Sequence, residues 1–348
     1  MIRVGIEMEK LKNLNSGLGQ FCLHLGKEIA QNSQSKVHPT FYLPKKLNFI
    51  FGKECEYKFT SRLHKLANVR FQGDVWHCTH QQSDYFPANK KIKNIITIHD
   101  LNFLEKYKSK SKQHALLSRL KRKIDRSAAL VFISEYTASA VKEHFDISGK
   151  RTAVIHNGNT LVEFPNAAKP KFAPDGEFIF SLGIINPKKN FLSLLPLLKH
   201  NKKSHLIIAG INYHPYAQEI ISAAKKENLE DRLILPGTVT DEEKYWLYKN
   251  CFAFAFPSLA EGFGLPVIEA MSVGKPVFIS DKTSLPEIGG KEAYYFRSFD
   301  ADHMAGVFEN GMKEYNRDAQ KPSRITKWAE QFSWRHAAKK YIELYCSL

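Results

Sequence analysis

Short apolar runs alternate with longer segments of helical character along most of this chain, and that alternation limits the fold more than any other feature. Runs such as "NIITIHD" (94–100) and "ALVFIS" (129–134) have the length and side-chain content of buried strands. The stretch "GLGQFCLHLGKEIAQ" (17–31) instead places apolar residues at nearly helical spacing. Strands that alternate with helices predict an α/β protein with a parallel, doubly wound sheet.

The alternation is interrupted once, and this interruption predicts two domains. Residues 164–177 are polar and rich in proline, and strand-like runs resume at "FIFSLG" (178–183). A chain of 348 residues also exceeds one typical hydrophobic core. We therefore expect a first domain over 1–165, a second over 166–325, and a terminal helix with an aromatic stripe over 326–348.

The positive charge of the chain lies mainly in its first half. Of the net charge of +16, residues 1–165 contribute +13, from 27 Lys and Arg against 14 Asp and Glu, and residues 166–348 contribute +3. Such a field predicts an acidic partner: nucleic acid, anionic lipid or a phosphorylated substrate. Nucleic acid is disfavoured, because no recognised nucleic-acid motif is present and the lysine-rich stretches lack interleaved aromatic residues.

The sequence also bears on the cellular compartment. It contains no run of about 18 apolar residues, and charges at Glu7, Glu9 and Lys10 argue against a signal peptide at the start. The five scattered cysteines contain no C-x-x-C pair, which argues against a disulfide framework and against a zinc site. We expect a cytoplasmic protein with reduced thiols.

The stretch "AEGFGLPVIEAM" (260–271) has the pattern of an anion-binding helix start. It follows an apolar, strand-like run, "CFAFAFPS" (251–258). Gly262 and Gly264 allow a tight turn, and Pro266 suits a first helical position, where its missing N–H is no loss. A glycine turn between a strand and a helix N-terminus directs backbone amides at a ligand, which predicts a phosphate site.

Five motifs in order carry a family resemblance. Glu261 and Glu269 form an E-x7-E pattern across the glycine turn. Four further motifs accompany it, namely "ISEYTASAV" (133–141), "VIHNG" (154–158), "SLGIINPKKN" (181–190) and "FSWRHAAKKY" (332–341). In type and order they resemble the retaining GT-B glycosyltransferases of family 4, over essentially the whole chain. The resemblance implies two Rossmann-like domains facing across a cleft, with the C-terminal helix crossing back to the first.

The resemblance also implies a donor site in the second domain. Lys189 would stabilise the leaving phosphates, Glu269 would accept hydrogen bonds from the ribose hydroxyls, and Glu261 would hold hydroxyls of the transferred sugar. The donor diphosphate would meet the turn and the "SLG" loop, at Gly183, Gly262, Phe263, Gly264 and Leu265. The alternative is that both glutamates and Lys189 are ordinary solvated charges. Ile184 departs from the family, since many relatives carry an arginine near that position.

Further candidates come from the first domain. His99 and Asp100 end the strand "NIITIHD", and the resemblance makes His99 a contact to the donor sugar or to the acceptor, with Asp100 on the acceptor side. The alternative for His99 is a buried histidine bonded to backbone. Gly17 and Gly19 make a weak dinucleotide fingerprint, with no third glycine, but they suit a loop beside the donor.

Two histidines, His77 and His80 in "WHCTH", are candidates for lining the acceptor site. Their spacing with Cys78 suggests metal, yet neighbouring strand residues face opposite sides of a sheet. A second metal-like motif, the D-x-D of "FDADHM" (299–304), precedes a helical run, where Asp300 suits an N-cap and Asp302 the first turn. We expect no catalytic metal and no cofactor.

The expected reaction is transfer of a hexose, with retention of anomeric configuration, from GDP-mannose or a UDP-hexose. The acceptor is a hydroxyl of a glycan or a lipid-linked molecule, in the synthesis of a cell-envelope polysaccharide. Two alternatives stay open at this point: a GT-B-like nucleotide-sugar epimerase and a basic nucleic-acid-binding protein.

A basic segment in the first domain bears on membrane association. Residues 106–126 hold nine Lys and Arg and one acid, Asp125, around an apolar stripe at three- and four-residue spacing. One interpretation is a helix that packs on its own domain and leaves solvated lysines on its outer face. The sharper interpretation is a surface that meets anionic headgroups or a lipid-linked diphosphate, which would make the enzyme peripheral at the inner face of the membrane.

Overall fold

The computed structural model describes residues 1–33, 36–47, 49–61, 68–106 and 109–348. The chain divides into two compact units. The first unit combines residues 1–158 with 332–348, and the second comprises 159–331. The boundaries predicted at 165 and 325 lie a few residues from these division points. Within the predicted basic segment, residues 107 and 108 lie outside the described residues.

The first unit is built on a sheet of seven parallel strands in the order β3-β2-β1-β4-β5-β6-β7. Its central strands are buried, because both faces are covered, and this explains their nearly continuous apolar sequences. The strands are β1 (Ile2–Glu7), β2 (Val37–Leu43), β3 (Glu56–Phe59), β4 (Val75–Cys78), β5 (Lys93–Ile98), β6 (Ala129–Phe132) and β7 (Arg151–Val154).

Helices connect these strands and cover the sheet. Within residues 1–158 the described α-helices are α1 (Gly17–Asn32), α2 (Phe103–Lys106), α3 (Lys110–Arg126) and α4 (Glu135–His144), with 3-10 turns at Glu9–Lys12 and Lys45–Leu47. Helices α1, α3 and α4 each begin at a serine whose hydroxyl accepts a hydrogen bond from an amide of the first turn. Such N-caps satisfy a backbone amide that has no intrahelical partner.

The second unit repeats the design with six parallel strands in the order β10-β9-β8-β11-β12-β13. The strands are β8 (Phe178–Leu182), β9 (His205–Ala209), β10 (Leu233–Gly237), β11 (Ala253–Phe256), β12 (Val277–Ser280) and β13 (Tyr294–Phe296). The α-helices are α5 (Leu195–His200), α6 (Tyr216–Lys226), α7 (Asp241–Asn250), α8 (Leu265–Ser272), α9 (Leu285–Gly289), α10 (Ala301–Arg317) and α11 (Lys321–Ala329). Single 3-10 turns lie at Pro187–Lys189, Phe191–Leu194 and Glu230–Arg232.

The C-terminal helix α12 (Trp334–Cys346) belongs to the first unit, as expected from the sequence. Its Trp334 and Tyr341 rings pack edge-on against Phe21 of α1. The single terminal helix predicted over 326–348 is wrong, because the chain breaks after α11 and restarts at Ser333, which caps α12. Trp328 therefore stays in the second unit, where its indole N–H donates to the Ile288 carbonyl.

Both sheets are doubly wound, so the predicted α/β class is confirmed. In each sheet the strand order reverses beside the first strand, between β1 and β4 and between β8 and β11. Ligands of open α/β sheets bind beyond the carboxyl ends of the strands at such a reversal. Among the described helices, none combines the length and apolar character that a membrane span requires.

Candidate active site

A largely buried ion pair, with each side chain 13% exposed, lies at the carboxyl ends of β8 and β11 in the second unit. Lys189, in the 3-10 turn after β8, places Nζ 2.5 Å from Oε1 of Glu261, in the loop after β11. The hydroxyl of Ser258 donates to the same carboxylate oxygen at 2.5 Å. Lys189 is the lysine that the family resemblance assigns to the donor phosphates, and it is the residue that reaches the glutamate.

The backbone of Gly183 leaves the space that Lys189 occupies. Gly183 has φ +154°, and a Cβ there would lie 3.2 Å from Cε of Lys189. On another side, Nζ of Lys189 lies 4.6 Å from the centre of the Phe256 ring. The ammonium is thus held by a carboxylate and an aromatic ring, which suits a cation that must stay in place until a second anion arrives.

Burial acts on both members of this pair, in opposite senses. Burial lowers the pKa of Lys189, and the charge of Glu261 opposes that shift. Burial alone would raise the pKa of Glu261, but the charges of Lys189 and Lys188 and the bond from Ser258 outweigh it and hold that pKa below its usual value. The carboxylate therefore remains ionised and is a strong hydrogen-bond acceptor.

The glycine turn after Glu261 is fixed by the loop that follows β12. The Glu261 amide donates to the Thr283 hydroxyl at 2.9 Å, and the Ser284 hydroxyl donates to the Phe263 carbonyl at 2.7 Å. Gly264 has φ +134° and precedes α8, which begins at Leu265. These bonds orient the start of α8, so Gly262, Phe263, Gly264 and Leu265 form the predicted turn at a helix N-terminus.

Glu269 lies one turn into α8 and its carboxylate is surrounded by donors. Tyr248 donates to Oε2 at 2.8 Å, and Lys244 Nζ lies 3.4 Å from Oε1, which also accepts from the Thr160 hydroxyl. The side chain is 3% exposed. These three partners were missed from the sequence, although the four-residue spacing of Lys244 and Tyr248 on one helix indicates a shared face.

Opposing effects also act on Lys244. Burial would lower its pKa, but the charges of Glu269 and Asp241 raise it above its usual value. A fixed cation next to a buried carboxylate keeps the group able to accept hydrogen bonds from a diol.

His99 and Asp100 follow β5 in the first unit, as predicted. Nε2 of His99 lies 2.8 Å from the Thr79 carbonyl oxygen, which can only accept, so Nε2 carries the proton. Burial lowers the pKa of His99 to about 4. The imidazole is therefore neutral near pH 7, and its Nδ1 lone pair is the remaining acceptor.

His77 does not fit the acceptor role predicted for it. It is fully buried in β4, with Nδ1 2.8 Å from the Tyr345 hydroxyl and Nε2 2.8 Å from the Thr97 hydroxyl. Burial lowers its pKa to about 3. With both nitrogens engaged by the core, His77 fixes α12 on the sheet, and we correct its assignment to a structural one.

His80 lies at the reversal of strand order in the first unit, beside the end of β1. Its Nε2 is 3.7 Å from Oε2 of Glu7, and one ligand atom each of Glu7, Glu9 and His80 lies within 4.8 Å of the others, a spacing that a metal ion could bridge. Burial raises the pKa of Glu7 to about 7. Both Glu7 and His80 are almost wholly buried, so an acceptor role for His80 stays a prediction.

Two other predicted features have local explanations. Gly17 and Gly19 lie in the first turn of α1, where a Cβ on Gly19 would be 2.0 Å from the Asn13 carbonyl oxygen. Close packing thus requires Gly19, and donor contacts of both glycines stay a prediction. Asp300 is the N-cap of α10, accepting from the amides of Asp302 and His303, as the sequence suggested.

Helix α3 carries the described part of the basic segment. Leu120 and Ile124 are buried beneath it, together with one of its cations, Lys123. The other basic residues of α3 are exposed: Lys110, Lys112, Arg119, Lys121, Arg122 and Arg126. The helix therefore packs on its own unit and still presents a basic outer face.

Two family models match adjoining parts of the chain. The model "Glycosyltransferase Family 4" matches residues 21–161, and "Glycosyl transferases group 1" matches residues 163–331. Together they cover both units, and the second match contains the ion pair, the glycine turn and Glu269.

Bacterial mannosyltransferases are among the curated relatives. The serotype-specific mannosyltransferase WbdA of Escherichia coli is 30% identical over 259 residues, which are 70% of this chain but 30% of that protein. The chain thus spans about a third of the length of this relative. O-antigen chain mannosyltransferase B of Escherichia coli is 24% identical over 76% of this chain and 73% of its own length.

Solved structures agree with the fold over the full chain. Sucrose-phosphate synthase from Thermosynechococcus elongatus superposes with a TM-score of 0.75, at 16% identity, over 100% of this chain and 99% of its own. Anabaena HepE in complex with UDP-glucose gives a TM-score of 0.73 at 16% identity, over 100% of both chains. At this identity the likeness concerns the fold, which is GT-B.

Proposed function

Because this chain belongs to the group 1 glycosyltransferases of family 4, we propose that it transfers a hexose, with retention, from a nucleotide-diphosphate sugar to an acceptor hydroxyl. The observation that carries the proposal is the buried pair of Lys189 and Glu261 beside a glycine turn that opens α8. One side chain suits phosphates, the other suits sugar hydroxyls, and the turn supplies amides between them.

The two charges of the pair have complementary roles in this reaction. Before the donor binds, each neutralises the other in a buried place. An incoming diphosphate attracts the Lys189 ammonium and neutral amides of the turn, which leaves the Glu261 carboxylate available for hydroxyls of the sugar. When the sugar–phosphate bond breaks, charge grows on the nucleotide, and Lys189 with the helix N-terminus stabilises it.

Glu269 holds the ribose in this proposal. Its Oε2 stays fixed by Tyr248, while ribose hydroxyls compete with Thr160 for Oε1. The absence of an arginine near Ile184 places more of the diphosphate charge on Lys189 and on the amides of the turn.

The chemical step is front-side displacement, in which the donor's own phosphate oxygen takes the proton of the acceptor hydroxyl. This needs alignment and charge stabilisation rather than a protein nucleophile. His99 is neutral and aligns substrate hydroxyls through Nδ1, with Asp100 on the acceptor side. We propose that no metal takes part, so transfer should persist in EDTA; loss of turnover that manganese restores would contradict this.

GDP-mannose is the first donor to test and UDP-hexoses the second. The two curated relatives named above are mannosyltransferases, and both have names tied to O-antigen or serotype. We propose an acceptor of the same kind, a glycan or lipid-linked glycan of the cell envelope, assembled on the cytoplasmic side of the membrane. Helix α3 then faces anionic headgroups, with its exposed basic residues supplying roughly 1 kcal/mol each near such a surface.

A thermal-shift panel of nucleoside diphosphates and nucleotide sugars tests the donor side. A ligand that binds the folded state stabilises it by RT ln(1 + [L]/Kd), so the matching base should raise the melting temperature most. A panel in which no nucleotide at millimolar concentration shifts the transition would contradict the proposed function. Binding that fits duplex or single-stranded DNA better, with a steep salt dependence, would favour the nucleic-acid alternative.

A further inference from the structure

The geometry of the first unit assigns positioning roles to Gln81 and Lys123: we propose that they hold His99 and Asp100 in place for the acceptor and tie the basic helix α3 to that site. The inference rests on the proposed function, since it concerns how the acceptor side of that reaction is built. Neither residue belongs to the motifs that identified the family.

The Gln81 side chain makes hydrogen bonds to the backbone of both His99 and Asp100, the two residues that follow β5. Its Oε1 accepts from the His99 amide at 3.1 Å, and its Nε2 donates to the Asp100 carbonyl at 2.8 Å. The Gln81 amide thus pairs with one backbone donor and one backbone acceptor, as a neighbouring strand would. It fixes the backbone of both candidate residues where β5 has already ended.

Gln81 is itself held from the other side by helix α3. Lys123, the buried cation of that helix, donates from Nζ to the Gln81 carbonyl at 3.2 Å. The same Nζ lies 3.2 Å from Oδ1 of Asp84. The Lys123 side chain is 9% exposed, so the placement of its ammonium is determined by these oxygens rather than by water.

A second residue of α3 shares this anchor. Arg119 is half exposed and pairs with the other oxygen of Asp84. Asp84 thus connects a cation on the outer face of α3 with the buried cation that fixes Gln81. An anion that draws Arg119 away from Asp84 would leave Lys123 paired with that carboxylate, so the bond from Lys123 to Gln81 does not depend on Arg119.

The His99 ring is held tightly by these contacts and two others. Its Nε2 bonds the Thr79 carbonyl, and the ring packs edge-on to Phe21 at 4.6 Å between centres. Because the ring is fixed, its Nδ1 points in one direction, and that direction follows the backbone which Gln81 holds. A displacement of about 1 Å in a group that aligns substrate can cost about 100-fold in rate.

Two substitutions test the inference without leaving a buried charge unpaired. Gln81→Met removes both amide bonds and keeps the length of the side chain. Lys123→Met removes the bond to Gln81, while Asp84 keeps Arg119. Arg119→Met is the matched control, because it removes a cation of the same helix and the same Asp84 partner but leaves the Lys123–Gln81 bond. Lys123→Arg is the conservative variant, which restores a cation at the same place.

Two readouts separate positioning from mere folding. The first is transfer kinetics with the matched nucleotide sugar, together with the Kd for the bare nucleoside diphosphate. The second is the ¹⁵N chemical shift of the His99 ring, identified by its loss in His99→Phe, which reports its environment without any turnover. We expect Gln81→Met and Lys123→Met to lower kcat at least about 10-fold, with nucleotide Kd unchanged and the His99 signal shifted.

Arg119→Met should behave like the wild type, and Lys123→Arg should recover part of the rate. The inference is overturned if Gln81→Met and Lys123→Met retain wild-type kcat and an unshifted His99 signal. It is also overturned if these variants lose nucleotide affinity together with the rate, so that the nucleotide Kd rises. If Gln81→Met does not fold, Lys123→Met decides alone. A wild-type protein that transfers no sugar refutes the proposed function, and the His99 signal then decides whether Gln81 and Lys123 fix that ring.

Discussion

Lys189 and Glu261 form a buried ion pair, with Nζ 2.5 Å from Oε1, although 72 residues separate them in sequence. The pair joins the loops after β8 and β11, at the position where the sheet of the second unit reverses its strand order. A cation and an anion placed together at a ligand-binding edge can each be used by a substrate that carries phosphate at one end and hydroxyls at the other.

Breaking this pair should cost stability and activity separately. We expect Lys189→Met to lower the free energy of unfolding by about 3 kcal/mol, because it leaves Glu261 as an unpaired buried charge. The double variant Lys189→Met/Glu261→Gln should recover much of that stability in urea titrations but none of the transfer. Lys188→Met, at the neighbouring lysine, is the control. A double variant that regains transfer would show that the pair serves folding alone.

Glu269 should govern nucleotide affinity more than it governs the fold. Glu269→Gln keeps the shape and one acceptor oxygen but loses the charge, and hydrogen bonds to charged groups contribute roughly 1.5–3 kcal/mol. Calorimetry should therefore give a Kd for the nucleoside diphosphate about 10-fold weaker or more. Glu219→Gln, at an exposed position of helix α6, should leave this Kd unchanged. Wild-type nucleotide affinity in Glu269→Gln would contradict the proposal that Glu269 binds the ribose.

Glu7 should make stability depend on pH in a defined window. Burial raises its pKa from the usual 4.5 to about 7, so the folded state binds the proton more tightly than the unfolded state does. Its contribution is therefore most favourable below pH 4.5 and is lost as pH rises through 7. The free energy of unfolding of Glu7→Gln, taken relative to that of the wild type, should be higher at pH 8 than at pH 5. The difference should be on the order of 2 kcal/mol.

The groups around Glu7 frame the interpretation of that experiment. Glu9, Lys10, His80, Cys22 and Cys78 are its charged or titratable neighbours. Because all five remain in Glu7→Gln, the difference between variant and wild type isolates the one carboxyl. Equal differences in urea midpoint at pH 5 and pH 8 would mean that Glu7 titrates near its ordinary value.

The packing of helix α12 in the first unit can be tested by a substitution at Gly158. A Cβ on Gly158 would lie 2.1 Å from the Trp334 amide nitrogen, so Gly158→Val must displace the start of the helix. We expect Gly158→Val to lower the free energy of unfolding by several kcal/mol. The added side chain overpacks the site, and displacing the helix disturbs the hydrogen bonds of Tyr341 and Tyr345. Gly149→Val, where no atom lies within 4 Å of the added Cβ, is the matched control. Equal stability of the two variants would refute this packing.

The membrane proposal needs a set of residues that excludes Lys123. The sequence treats residues 106–126 as one basic segment, but Lys123 within it is buried. Charge reversal of Lys121 and Arg122 should reduce co-sedimentation with anionic vesicles at low salt and spare nucleotide binding. Reversal of Lys225 and Lys226, on α6 of the second unit, is the control. If the wild type ignores anionic vesicles at low salt, the membrane surface is excluded as its partner.

Most of the fold was predictable, because strand–helix alternation and glycine turns are local in sequence. The anion-binding turn followed from a strand, a glycine pair and a helix start, whereas Glu261 and Lys189 became candidates through the family resemblance. What could not be predicted was which polar side chains are buried in the core and form their hydrogen bonds there. His77 and His80 look alike in "WHCTH", yet His77 is fixed by Thr97 and Tyr345, from distant parts of the chain.

The partners of Glu269 and the role of Gln81 were beyond the sequence for the same reason. Thr160 lies 109 residues before Glu269, and Gln81 lies 18 residues before the amide that it accepts from. Such contacts depend on register between distant strands and helices, which local patterns do not specify. The break between α11 and α12 was also missed, since a helical period continues across Ser333 in the sequence.

The most direct measurement for the central claim is transfer from GDP-mannose labelled with ¹³C at the anomeric carbon, followed by NMR with an envelope-glycan acceptor and, in parallel, with UDP-hexoses. We expect a new glycosidic signal with the same anomeric configuration as the donor, present in the wild type and lost in Glu261→Gln. A product of inverted configuration, or a wild type that binds nucleotide but transfers no sugar from either class of donor, would contradict the account.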